Sequence, residues 1–124
     1  MQIKMNNLEK KIKSKNAIIC VIGLGYVGYP LLKLIYNNGF KLIGLDNDKN
    51  KIRKLKAKPL KKVIFTNDYS FIHKSDIIIF TLPTPVNQKK KPDLSILKKS
   101  VYNSSKYLKD NQLIIFESTS YPGT

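Results

Sequence analysis

The chain has 124 residues with a single cysteine and a single histidine, and 23 basic against 8 acidic residues give it a formal charge of +15. That length suits one domain with a real core, no apolar run approaches the roughly 18 residues of a membrane span, and Met1 to Glu9 lacks the apolar centre of a signal peptide. One cysteine excludes an internal disulfide or a cysteine metal cluster, so a reducing cytoplasm is the default. Arg53 is the only arginine, and no aromatic residues alternate with a basic stripe. The charge is therefore not that of a specific nucleic-acid reader, although nonspecific attraction of anions follows from it.

Residues 1–15 form a lysine-rich arm. Ile3, Leu8 and Ile12 are apolar at loose helical spacing, which leaves open a short packed helix or a frayed terminus. The domain proper is expected over 16–124. It begins with a continuous apolar run at 17–22, as in a buried parallel strand. Gly23-Leu24-Gly25-Tyr26-Val27-Gly28 follows and fills a G-x-G-x-x-G template. A helix is predicted over 26–38, closed by Gly39, with Val27, Leu31, Leu34 and Ile35 on its inner face. Pro30 falls in or just past the first turn, where a missing N–H costs little.

A second strand, 41–45, ends in Asp46, about 20 residues beyond the glycines. In a dinucleotide site Gly23 makes the tight turn, Gly25 lets backbone approach a pyrophosphate, and Gly28 lets helix and strand lie close. The helix start offers unpaired N–H groups to the phosphates. A carboxylate at Asp46 accepts hydrogen bonds from the adenosine ribose and repels a 2′-phosphate, so NAD is favoured over NADP. The alternative is a glycine-rich turn that binds nothing. Agreement of strand, glycines, helix and acid argues against it.

Further along, a short helix is predicted over 48–57, carried by Ile52 and Leu55 and stopped by Pro59. A strand follows at 63–66, then a helical turn at 68–74, then an apolar strand at 76–82. Pro83 to Pro92 reads as a loop. Asp93 caps a helix over 94–109, with Leu94, Leu97, Val101, Ser104 and Leu108 facing inward. A fifth strand spans 112–116, and a loop begins at Glu117. Strands alternating with helices predict an α/β fold: a Rossmann-type parallel sheet of about five strands in order 3-2-1-4-5, with helices on both faces.

Three loops converge at the carboxyl edge of that sheet: 23–28, 82–85 and 117–120. Thr84 and Thr119 are hydroxyl residues within reach of a ligand there, or else loop hydroxyls that satisfy nearby backbone. A complete catalytic set is missing. His73 is expected at the surface. Cys20 lies inside the first strand, as an inert core thiol. Glu117 is at a strand end, where bonding within its own loop competes with a general-base role. No metal site is expected.

Val21-Ile22-Gly23-Leu24-Gly25-Tyr26-Val27-Gly28-Tyr29-Pro30-Leu31 resembles the opening of the nucleotide-sugar 6-dehydrogenases, the UDP-glucose/GDP-mannose dehydrogenase family. Leu82-Pro83-Thr84-Pro85, Lys91-Pro92-Asp93-Leu94-Ser95 and Glu117-Ser118-Thr119-Ser120-Tyr121-Pro122-Gly123-Thr124 resemble three further blocks of it, in order. The wording is most similar to the branch acting on UDP-N-acetylhexosamines in polysaccharide biosynthesis. The resemblance implies NAD-dependent oxidation of a UDP-sugar C6 alcohol to a carboxylate. It places Tyr26 and Val27 in the pyrophosphate loop, Asp46 on the ribose, Lys51 near the adenosine and Thr84 on the cofactor. Thr119 falls near the nicotinamide, where it helps place the catalytic water. It further implies a homo-oligomeric parent enzyme.

Two departures stand out. Between Ala57 and Val63 the family's longer insert is almost absent, and Tyr29 stands where Leu is usual. The family's catalytic cysteine, lysine, asparagine and aspartate and its sugar-binding domain have no counterpart within these residues. The expectation is thus a cofactor domain that ends before the substrate domain and is catalytically incomplete alone. The alternatives are a stand-alone NAD-binding or regulatory module and an inactive gene remnant. Another Rossmann dehydrogenase, of the 3-hydroxyacid type, is disfavoured by the Pro83–Pro85 and Glu117–Thr124 blocks.

Overall fold

A computed structural model describes residues 6–86 and 88–117. Helix α1 (Asn7–Lys13) precedes strand β1 (Ile18–Ile22), α2 (Gly28–Asn37), β2 (Lys41–Leu45), α3 (Lys49–Lys56) and β3 (Val63–Thr66). A 3-10 helix (Tyr69–Lys74), β4 (Ile77–Phe80), α4 (Ser95–Ser105) and β5 (Leu113–Phe116) complete the described order. The five strands form one parallel sheet in the order β3-β2-β1-β4-β5, as the alternation of elements predicts. Ile22 pairs with Leu45 and Phe80, Leu45 with Thr66, and Phe80 with Phe116. All five strands therefore end level, and every βα loop emerges at one edge.

Alternation along the central strands sorts the core into two faces. Ile19 and Val21 of β1 join Leu32, Leu42, Ile52, Phe65, Ile77 and Ile79 on the face covered by α1, α2 and α3. Cys20 and Ile22 join Ile43, Leu45, Ile72, Ile78 and Phe80 on the other, under the 3-10 helix and α4. The arm resolves toward a packed helix: α1 is capped by the Asn6 side chain, and Leu8 and Ile12 rest on the first face. Ile3 lies outside the described residues. Lys11 Nζ stands 2.9 Å from Asp76 Oδ1, while Asp76 Oδ2 accepts from Ile18 N at 2.8 Å, which ties α1 to the starts of β1 and β4.

Several expectations shift. The buried face of α2 runs through Gly28 and Leu32, with Leu31, Ile35 and Tyr36 beside them; Leu34 is 61% exposed and Val27 39%. The helix begins at Gly28 rather than residue 26, so Pro30 is its third residue. α4 runs from Ser95 to Ser105, starting one residue later than expected and stopping short of residue 109; its cap is Leu94 rather than Asp93, which stands one residue before the cap and accepts from Ser95 N. Leu94 is exposed, and the fully buried positions of α4 are Ser100 and Ser104. At the outer edge of the sheet, β5 leaves Leu113, Ile114 and Phe116 partly exposed.

Candidate functional site

At the carboxyl edge a cavity of about 620 Å³ opens between the loops after β1, β2 and β4. Its wall includes Gly23, Gly25, Tyr26, Val27, Asp46, Lys51 and Thr84, so seven predicted cofactor residues from three loops and the first turn of α3 meet around one space. Gly28 is not in that wall but beneath it. The third expected loop contributes no described wall residue: Glu117 N donates to Phe80 O, its side chain is exposed, and Thr119 lies outside the described residues.

The glycines divide their labour. Gly23 has φ +94°, a left-handed turn at the end of β1 that side-chain-bearing residues rarely adopt. Its N–H donates to Leu45 O at 2.8 Å, so the turn hangs from β2. A Cβ on Gly28 would overlap the Gly23 carbonyl oxygen and the Thr81 hydroxyl, so α2 starts directly against the turn. A Cβ on Gly25 would meet nothing within 4 Å. Bare backbone there faces open space at the start of α2, where first-turn amides lack helical partners. An anion is the ligand such a cradle fits. Tyr26, fully exposed, projects from the same loop.

Asp46 closes the opposite side. Its side chain is 13% exposed. Oδ2 accepts from Leu24 N at 2.8 Å and faces Lys51 Nζ at 3.5 Å, while Oδ1 accepts from Asp48 N at 2.9 Å. A carboxylate offers about four lone-pair sites, so capacity remains for a ligand hydroxyl. Asp48 in turn caps α3 through the amides of Asn50 and Lys51, which sets Lys51 on the cavity side of that helix.

The wall also holds residues that the sequence reading passed over. Thr81 follows β4 directly and is buried, and its hydroxyl lies 2.6 Å from Gly23 O and 2.9 Å from Ile22 O. Read as part of the strand, it instead locks the glycine turn. Its only signal was a hydroxyl residue ending an apolar strand. Tyr69 and Ile96 also line the cavity. Of the rejected catalytic candidates, His73 is exposed on the 3-10 helix and absent from the wall. Cys20 is buried, and loss of solvation pushes its thiol up to about 12 against the weaker opposing hydrogen bond of Ser75. It is not a thiolate near neutral pH. Among the described residues no group of three metal-ligating side chains exists, and no helix is long and apolar enough to cross a membrane.

The profile of the UDP-glucose/GDP-mannose dehydrogenase family, NAD binding domain, matches residues 17–63 and 56–124. The two matched segments overlap at residues 56–63. UDP-N-acetyl-D-mannosamine dehydrogenase of Methanocaldococcus jannaschii is 34% identical over 137 aligned positions, covering 97% of this chain and 32% of the relative. UDP-N-acetyl-D-glucosamine 6-dehydrogenase of Pseudomonas aeruginosa is 32% identical over 122 positions, covering 88% of this chain and 29% of the relative. The crystal structure of NDP-N-acetyl-D-galactosaminuronic acid dehydrogenase from Methanosarcina mazei superposes with a TM-score of 0.71 at 31% identity, over 97% of this chain and 31% of that one. This chain thus spans about a third of the length of the relatives it matches. The shared fold and the matched profile agree: the chain belongs to the UDP-glucose/GDP-mannose dehydrogenase family, of which it carries the NAD-binding domain.

Proposed function

We propose that residues 16–124 hold NAD for a nucleotide-sugar 6-dehydrogenase that oxidises the C6 alcohol of a UDP-sugar to a carboxylate, with residues 1–15 as an accessory arm. The observation that carries this reading is the convergence of Gly23, Gly25, Asp46, Lys51 and Thr84 on one cavity. Names of relatives that act on UDP-N-acetylhexosamines favour that substrate class.

When bound, NAD supplies the hydride acceptor. The chain's own residues bind and orient it. Gly23 to Val27 and the start of α2 face the pyrophosphate, and Gly28 and Thr81 hold that loop against the sheet. Asp46 accepts the ribose hydroxyls, with Lys51 beside it on the adenosine side. Thr84 contacts the cofactor from across β1, and Thr119 helps place the water needed for the second oxidation. The described residues hold no candidate for the remaining roles: Cys20 is a buried neutral thiol, and His73 is exposed and outside the cavity wall. This chain alone therefore binds NAD without turning over sugar. The parent enzyme is read as a cytoplasmic homo-oligomer.

The test is NADH formation with UDP-N-acetylglucosamine, UDP-N-acetylmannosamine and UDP-glucose, with and without the remaining two-thirds of a relative added in trans. NAD binding without turnover is expected from the chain alone, and turnover with the added portion. Sustained NADH formation by the purified chain alone would show that the catalytic groups lie within these residues.

A further inference from the structure

The amino edge of the sheet carries a second cavity, of about 980 Å³, that the cofactor reading leaves unused. It opens between α1, the start of β4 and the turn that enters β5. Asp76 in its wall and Thr81 in the wall of the first cavity flank β4 at its two ends. Five steps of extended chain separate them, about 17 Å. A ligand in one cavity therefore leaves the other free.

The wall is polar and cationic. Lys10 and Lys11 come from α1 and Lys109 from the turn before β5, against Asp76 and Asp110. Asp76 is already committed: Lys11 Nζ stands 2.9 Å from Oδ1, and Ile18 N donates to Oδ2 at 2.8 Å. Lys109 acts on the same carboxyl and helps hold it below its ordinary value, so one carboxylate serves two ammonium groups. Among the described residues neither Lys10 nor Lys109 forms a salt bridge. Asp110 is the one acid left in the wall to oppose them. Asn6 is spent on capping α1, and Gln112 on Ile72 O, Ser75 O and Lys109 N. The side-chain amides of Asn7, Asn16 and Asn111 line the cavity without a protein partner among the described residues.

These groups select a ligand class. No aromatic ring lines the space, so a flat base has nothing to stack on. No group of three metal-ligating side chains exists among the described residues, so the wall does not suit a divalent cation. Ammonium groups beside free amides suit an anion whose other groups are hydroxyls. The volume is that of a small-molecule pocket.

We propose that this cavity binds a sugar phosphate, with Lys10 and Lys109 on the phosphate and Asn7, Asn16 and Asn111 on the sugar hydroxyls. Lys11 is a positioning residue, because it neutralises the Asp76 carboxylate that would otherwise repel the anion. The site stands whether or not the first cavity holds NAD.

Calorimetric titration of the chain with glucose 1-phosphate and with inorganic phosphate tests this, using Lys10→Gln, Lys109→Gln, Asn111→Gly and Lys54→Gln. All four positions are exposed, so the variants keep the fold. Glucose 1-phosphate should bind once per chain, about three- to tenfold tighter than inorganic phosphate. Lys10→Gln and Lys109→Gln should each weaken it about three- to tenfold. Asn111 has φ +70°, a backbone that glycine also adopts. Asn111→Gly should weaken glucose 1-phosphate about two- to threefold and leave inorganic phosphate unchanged. Lys54→Gln removes an equal charge from α3, outside both cavities, and should change nothing. Saturating NAD, and Gly25→Val, should leave the affinity as it is. An equal loss in Lys54→Gln would assign the binding to overall charge and overturn the site. Displacement by NAD or loss in Gly25→Val would move the ligand to the first cavity and overturn it too. Inorganic phosphate binding as tightly as glucose 1-phosphate would overturn the sugar phosphate assignment, and no binding of either would overturn the site outright.

Discussion

Asp46 Oδ2 accepts a hydrogen bond from Leu24 N at 2.8 Å, joining the acid that ends β2 to the middle of the glycine loop after β1. The carboxylate proposed to meet the ribose thus also holds the loop proposed to meet the pyrophosphate. Asp46→Ala should therefore do two things at once. NAD affinity should fall by about 1–3 kcal/mol, the scale of removing a charged acceptor, and the preference for NAD over NADP should shrink because the repelling charge is gone. Calorimetry with both cofactors reads this. Unchanged discrimination between them would mean that Asp46 serves the loop alone.

Thr81 holds the same loop from the other side. Its hydroxyl is buried against Gly23 O and Ile22 O, and Ile22 O also accepts from Thr81 N. Thr81→Val keeps the shape and strands the Gly23 carbonyl, which should cost about 1–3 kcal/mol. Thr81→Ser keeps the hydroxyl and should lose less. Urea denaturation midpoints of the two variants decide it; equal losses would assign the effect to packing.

The sheet order was legible because β1 and β4 are apolar on both faces and turn residues punctuate the chain. Helix phase was harder. Leu31, Leu32, Leu34 and Ile35 are apolar over more than half of α2, so periodicity alone does not choose a face. The close contact of Gly28 with the Gly23 turn chooses it, which buries Leu32 one turn later and leaves Leu34 outside. Distant polar ties leave no local signal either. Gln112 donates to Ile72 O and Ser75 O and accepts from Lys109 N, fixing the entry to β5 after α4 has ended early. Ser104, expected on the inner face, is buried, and so is Ser100, which that face did not include; the Ser100 carbonyl and the Tyr69 hydroxyl satisfy them. The glycine loop, Asp46 and Thr84 were readable as residues of the carboxyl edge because they lie in the loops that follow strands, whereas Lys51 came only with the family resemblance.

Gly25 and Gly28 should fail differently on substitution. Open space surrounds a Cβ at residue 25. Gly25→Val should therefore keep the thermal midpoint near that of the parent and abolish NAD binding by filling the pyrophosphate's place. At residue 28 the added carbon would meet the Gly23 carbonyl and Thr81. Gly28→Ala should cost about 3 kcal/mol in stability through overpacking against backbone. Circular dichroism melts paired with calorimetry separate the two outcomes. Parent-like NAD binding by Gly25→Val would make the loop a structural turn only.

Acid should loosen α1 before it unfolds the sheet. Burial alone would raise the Asp76 carboxyl, but the hydrogen bond from Ile18 N and the Lys11 ammonium outweigh it and hold the group below the usual carboxylate value, with Lys109 adding to the effect. A carboxyl whose folded value is depressed stabilises the native state above its unfolded value, about 3.9. That contribution is lost as pH falls through the folded value, because the unfolded chain then binds the proton more readily. Protonation removes the partner of Lys11 and weakens the hold on α1, whose remaining ties include the packing of Leu8 and Ile12 and the bonds from Asn16 N and Ala17 N to Lys11 O. Between neutral pH and pH about 5, amide exchange in residues 7–13 should be constant apart from its intrinsic pH dependence. Below about pH 4, protection there should fall while β1 and β4 stay protected. Asp76→Asn should show the loosened α1 at neutral pH and lose the acid step. An acid step of equal size in Asp76→Asn would place the responsible carboxylate elsewhere.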